Sequence, residues 1–237
     1  MNAAHVMTDT GKSLVPLSRK LQLVATLAVI LPAMFAAAGT FTWLNGWIFW
    51  GLLLISVWIG YLYLRRANPE VIVARSVHHS GTKTWDKWIL GFLSMLLAAE
   101  LIVAPLDAVR YRFWPLAVWL VLPGVLLFLA GFFLTLWAEG VNKFFEPTVR
   151  IQSDRGHYVV SAGPYAVVRH PGYVGTIALL MGSAMVLGSG LAVILSAVSS
   201  VIFVVRTALE DRMLLSGLSG YRDYAEKVRY RLLPGVW

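Results

Sequence analysis

The run YVGTIALLMGSAMVLGSGLAVILSAVSSVIFVV, residues 173–205, carries no charged side chain. As one straight helix it would reach about 50 Å, well beyond a hydrocarbon core of about 30 Å. Gly188-Ser189-Gly190 interrupts it near its middle, so the pattern predicts two helices that turn at the glycines. Such a hairpin returns the chain to the side it came from, and residues just before Tyr173 and just after Val205 then lie at similar depth.

Upstream, four more apolar runs are long enough to cross a bilayer: 21–41, 47–64, 88–106 and 115–138. Pro32 is expected to bend the first. Asn45-Gly46 reads as the turn before the second, and Arg65-Arg66 ends that span abruptly. Residues 1–20 are polar and precede a full-length span without a small-residue cleavage pattern, which reads as a tail before a membrane anchor. The expected organisation is a tail (1–20), four transmembrane helices (21–138) and a functional core (139–237).

Composition agrees. Hydrophobic residues make up 58% of the chain and charged residues 14%, against about 25% charged in soluble domains. The excess apolar surface must face lipid. The predicted fold is an all-α, polytopic membrane helix bundle of about six helices, including the C-terminal hairpin, with a small cytoplasmic loop and a C-terminal helix. The net charge of +8 sits between spans, so topology explains it and a nucleic-acid partner is not expected. With six crossings and a cytoplasmic N-terminus, Arg110 and Arg112 are the only two of the 20 Lys and Arg residues left outside. Both termini are therefore expected in the cytoplasm, and a bacterial inner membrane is the expected location. No cysteine is present, which removes disulfides, thiolate metal sites and cysteine nucleophiles.

Several residues admit a plain reading. His78-His79 lie in a polar link and are read as solvated, with no metal assigned. Trp43, Trp47, Trp50, Trp85, Trp88, Trp114 and Trp119 fall near span ends, where indoles settle at the lipid interface. Glu100, inside the third span, is either a functional carboxylate or a protonated or paired helix-packing contact. The segment 148–160, with β-branched residues around Ser153-Asp154-Arg155-Gly156, reads as a small hairpin over the membrane surface.

Two clusters at the mouth of the terminal hairpin carry the chemistry. The first is Gly163-Pro164-Tyr165, Arg169-His170-Pro171, Tyr173 and Gly175. Pro171 at a helix start leaves backbone N–H groups pointing outward, a seat for an anion. Arg169 and His170 add donors, and Tyr165 and Tyr173 offer aromatic faces to an adenine ring or a sulfonium cation. The second cluster is Arg206, Glu210 and Asp211. Arg206 and Glu210 share a helix face, where an ion pair is the ordinary reading. At the end of a charge-free membrane helix, however, desolvated charges need partners.

Together with Leu214, Tyr221 and Tyr224, these motifs resemble the isoprenylcysteine carboxyl methyltransferase family, whose C-terminal core the phospholipid N-methyltransferases share. The resemblance covers roughly residues 140–237. It implies S-adenosylmethionine as cofactor, bound by His170, Pro171, Tyr173, Gly175, Glu210 and Asp211, to which the donor and aromatic chemistry of the first cluster adds Arg169 and Tyr165; Arg206, near the reacting carboxylate, and Glu210 are the expected catalytic residues. Asp211 stands where that family usually has a second glutamate. The implied acceptor is a lipidic or prenylated molecule entering from the membrane lipids, with carboxyl O-methylation favoured and phospholipid N-methylation the alternative. Membrane sterol and enone reductases, which use NADPH, carry a similar Arg-His-Pro-x-Tyr element, but Gly172 and Thr176 depart from their pattern. A non-enzymatic scaffold would not need polar residues at matched depth on both sides of the hairpin.

Overall fold

The computed structural model describes residues 17–76 and 81–237. Most of the expected tail, residues 1–16, and the His78-His79 pair lie outside them. The described residues form eight α-helices: α1 (Leu17–Ala38), α2 (Leu44–Ala67), α3 (Pro69–Ser76), α4 (Thr84–Pro105), α5 (Val121–Val141), α6 (Pro171–Leu187), α7 (Gly190–Gly217) and α8 (Tyr221–Lys227). Four segments are long and apolar enough to span a membrane: Leu44–Ala67, Thr84–Arg110, Val118–Val141 and Gly190–Gly217. Val24–Ala38 and Pro171–Leu187 are shorter apolar helices. An all-α, polytopic helix bundle is therefore the architecture found, with four of the six expected spans long and apolar enough to cross a membrane and the other two present as shorter apolar helices. Large apolar side chains on its outside, such as Trp88 and Val118, stay exposed, as a lipid-facing surface requires.

Local chemistry sets the boundaries. Pro69 opens α3, since a proline at the first helical position gives up an N–H that would have no partner anyway. Pro105, which cannot donate to the preceding turn, coincides with the passage of α4 into a π-helical turn, Leu106–Arg110. The turn before α2 falls at Gly39, with φ of +73°, and not at Asn45-Gly46, which lie inside α2. Gly46 is small for a packing reason: a Cβ there would come within 2.5 Å of the Trp43 ring.

The hairpin turns where its glycines predict. Gly188 takes φ of +78°, and the Ser189 hydroxyl accepts from Ala192 N at 3.0 Å, capping α7. Asp107, buried in the π-helical turn that follows α4, accepts from Ser189 Oγ at 2.5 Å, Leu191 N at 3.1 Å and Trp114 N at 2.7 Å. The distal turn is thus pinned to the first half of the bundle.

The most extensive helix contact is α5 on α6. It is a backbone-to-backbone approach through glycines, as small residues allow in membranes. A Cβ on Gly131 would meet Gly175 O at 2.5 Å, one on Gly182 would meet Phe128 N at 2.4 Å, and one on Gly175 would meet Thr135 Oγ1 at 2.3 Å.

The segment 148–160 is not a hairpin. Among the described residues there is no strand, only an isolated bridge between Pro115 and Ser189. The backbone of 148–160 finds other partners: Val149 N donates to Asp86 Oδ2 at 2.7 Å, Val149 O accepts from Lys83 N at 3.2 Å, and Gly156, at φ of +62°, closes a single 3-10 turn. Arg150 bonds Glu146 through Nε at 2.8 Å and Nη2 at 2.9 Å, and Asp154 through Nη1 at 2.6 Å. Side-chain ion pairs fix this loop where β-pairing was expected.

Glu100 belongs to helix packing. It is buried, and Ser196 Oγ on α7 lies 2.9 Å from Glu100 Oε2 and 3.1 Å from Leu180 O on α6. A hydroxyl has one proton to donate, so both contacts are hydrogen bonds only if Glu100 is neutral and supplies the other. Glu100→Gln should then keep stability, whereas Glu100→Ala should lose about 1–2 kcal/mol. Thermal unfolding in detergent checks this; equal loss in both variants would reject the donor role.

Candidate functional site

The hairpin brings its two polar flanks together. Arg169, ahead of α6, donates to Asp211 on α7 from Nε at 2.8 Å and from Nη2 at 2.9 Å. Tyr173, in the first turn of α6, donates its hydroxyl to Glu210 Oε2. The clusters before and after the hairpin are therefore parts of one site.

Asp211 is the hub. Besides Arg169 it accepts from Tyr221 OH at 2.8 Å and from Arg231 Nε at 2.8 Å, and His170 Nε2 lies 3.4 Å away. The remaining Arg169 nitrogen, Nη1, donates to Val228 O and Arg229 O, each at 2.8 Å. Backbone bonds from Arg169 N to Tyr230 O and His170 N to Arg231 O, each at 2.9 Å, continue the attachment. The segment after α8 is thereby strapped to the start of α6.

A cleft of about 790 Å³, open mouth included, lies beside this hub. Tyr165, His170, Tyr173 and Glu210 face it from the hairpin side, with Tyr221 and Tyr224 of α8. The opposite wall is the 142–160 loop, including Phe144, Phe145, His157 and Tyr158. His170 and Tyr173 lie nearly parallel, 5.7 Å between centroids. Tyr224 OH donates to Tyr165 O at 2.7 Å, and Asn142 Nδ2 donates to Tyr165 OH at 3.1 Å. Burial raises the Tyr165 phenol above its usual range, and burial together with the neighbouring Asp211 does the same for Tyr221. Both stay protonated at neutral pH; Tyr221 donates its proton to Asp211, whereas the Tyr165 oxygen accepts from Asn142. Burial and the nearby Arg150 push His157 down to about 4, so its ring is neutral at pH 7.

The expected site residues divide into those that face the cleft and those that brace it. Tyr165, His170, Tyr173 and Glu210 face it. Arg169 borders it with its guanidinium nitrogens already committed, and Asp211 is buried behind it among the bracing cations. Pro171 starts α6 as expected. Gly175 points away, into the contact with α5, so its small size serves helix approach.

Arg206 does not pair with Glu210, its neighbour on the helix. Its Nε donates to Asp86 Oδ1 at 2.7 Å, and its Nη2 donates to Asp86 Oδ2 at 3.2 Å and Pro147 O at 2.7 Å. Its guanidinium carbon stands 5.2 Å from the Tyr173 ring centroid, a cation–π contact. Sequence reasoning missed Asp86, the 142–160 wall and the Arg231 strap. One signal for Asp86 was available: an acid at the entry of an apolar helix needs a partner when it is buried.

The arrangement combines aromatic faces, two lining acids, of which Glu146 is paired with Arg150 and Arg155 and Glu210 accepts from Tyr173, and a helix N-terminus. Those are the elements that fit a molecule bearing a flat heteroaromatic ring, a cation and a carboxylate. Residues 124–216 match the model of the isoprenylcysteine carboxyl methyltransferase family. Among solved structures, that of a eukaryotic intramembrane Ras methyltransferase, isoprenylcysteine carboxyl methyltransferase, is similar, with a TM-score of 0.54 and 22% identity over 90% of this chain and 75% of that one. At this identity the likeness is one of fold. No curated protein sequence matches. The matching family is the one that the motifs resemble.

Proposed function

We propose that this chain, whose residues 124–216 match the isoprenylcysteine carboxyl methyltransferase family model, is a membrane methyltransferase that uses S-adenosylmethionine and methylates the carboxylate of a prenylated or similarly lipidic acceptor. The observation that carries the reading is the convergence of the two hairpin flanks on one cleft, through Arg169 with Asp211 and Tyr173 with Glu210. The functional core is residues 139–237, its mouth faces the cytoplasm, and both termini lie on that side.

Bound S-adenosylmethionine supplies a methyl carbon already activated by a positive sulfur. The residues present fit it. Glu210 would complement the amino group or the sulfonium, the aromatic side chains of the cleft would pack the adenine, and the Gly172 N–H at the N-terminus of α6 would take the carboxylate. Tyr173 orients Glu210 through its hydroxyl. A carboxylate acceptor is ionised at neutral pH and needs no base, so the chain's task is alignment and exclusion of water. The long apolar helices around the site let a greasy acceptor approach from the bilayer side.

The test is transfer of a radiolabelled methyl group from S-adenosylmethionine in proteoliposomes containing the purified protein. The expected product from an added prenylated cysteine is a base-labile methyl ester. Label found as N-methyl in an aminophospholipid would move the assignment to N-methylation, with Glu210 as proton acceptor. Absence of transfer to either acceptor would count against the reading.

A further inference from the structure

Asp86 lies in the first turn of α4, 120 residues before its partner Arg206 and outside the segment that matches the family model. Its side chain is fully buried. One carboxylate joins three parts of the fold: α4 itself, Arg206 of α7, and the wall of the cleft through the Val149 N–H. Lys83 N, donating to Val149 O at 3.2 Å, repeats the link to that wall.

The pairing decides where a buried cation rests. A guanidinium four residues before an acid on a helix normally meets that acid. Here Arg206 is held by the stronger bidentate grip of Asp86, with Pro147 O taking a further bond, and lies against Tyr173 instead. Tyr173 and Glu210 face the cleft, whereas Arg206 does not line it. Glu210 is thereby left to accept the Tyr173 hydroxyl and to meet a cationic ligand.

We infer that Asp86 is a positioning residue for the donor site: it holds Arg206 off Glu210, so that Glu210 stays turned to the cleft. The inference rests on assigning that cleft to S-adenosylmethionine. In Asp86→Asn the orphaned Arg206 cation is drawn to the nearest acid on its own helix face, and Glu210 leaves the cleft. Donor binding then weakens although no residue of the cleft has changed.

The experiment titrates S-adenosylmethionine into the detergent-purified full chain as wild type, Asp86→Asn and the double variant Asp86→Asn/Arg206→Gln. Asp86→Asn should bind about tenfold or more weakly. The double variant, which leaves no unpaired charge, should return to within about threefold of wild type. Relief of the unpaired charge would repair a purely structural brace as well, so thermal stability is read beside affinity: an affinity loss that only follows a loss of stability, or a double variant no better than Asp86→Asn, overturns the inference. Wild-type affinity in a folded Asp86→Asn overturns it too. Where Asp86→Asn does not fold, the neutral pair remains a test: a tenfold loss in a folded double variant is contradictory. Failure of the wild type itself to bind S-adenosylmethionine would instead remove the assignment of the cleft, and this inference with it.

Discussion

Gly175→Val destabilises the protein by about 3 kcal/mol, the upper end of overpacking costs, and abolishes donor binding along with it. Even a single Cβ at this position would lie 2.3 Å from Thr135 Oγ1, 2.6 Å from Gly131 O and 2.7 Å from Thr135 N. Two of these three are backbone atoms in the middle of α5 and cannot swing aside as a flexible side chain would. Helices α5 and α6 must then separate, and α6 carries Gly172 and Tyr173 at the cleft. Gly91 in α4 is the internal control, because a Cβ there meets nothing within 4 Å. Gly91→Ala should be neutral or slightly stabilising, since alanine favours helix more than glycine does. Thermal unfolding in detergent, followed by S-adenosylmethionine titration, reads both effects. A Gly175→Val protein with wild-type stability would show that the close helix approach is not required.

Asp211→Asn removes the anion that Arg169 and Arg231 share. Breaking a buried pair from one side leaves the other charge uncompensated, a cost of about 3–5 kcal/mol. Arg169 also holds the carbonyls of Val228 and Arg229, so the loss spreads to the strap. The expected results are a loss of donor affinity on the order of a hundredfold and faster tryptic cleavage at Arg229 and Arg231. Unchanged cleavage combined with lost binding would reject the bracing role and favour direct contact between Asp211 and the ligand.

The terminal hairpin was legible because a charge-free run too long for one crossing, broken by Gly188-Ser189-Gly190, has few ways to fold. The motif residues at its mouth were legible as a cluster for the same reason. Their individual tasks were less so. Arg206 has a sequence neighbour of opposite charge in Glu210, yet its partner Asp86 lies at the start of a different helix, and long-range pairing leaves no periodic trace. Gly175 sits inside a motif that suggests ligand binding, but a glycine's absent side chain serves a packed helix equally well. The 148–160 loop has the composition of strands; the ion pairs of Arg150 with Glu146 and Asp154 and the Asp86 bond to Val149 N prevail over that local preference. Glu100 allowed two readings, and the proximity of Ser196 and Leu180 O selects the packing one.

Isothermal titration of the detergent-purified chain with S-adenosylmethionine bears most directly on the whole account. One saturable site per chain is expected, lost in both Glu210→Ala and His170→Ala. Saturable binding of NADPH with no response to S-adenosylmethionine would contradict it.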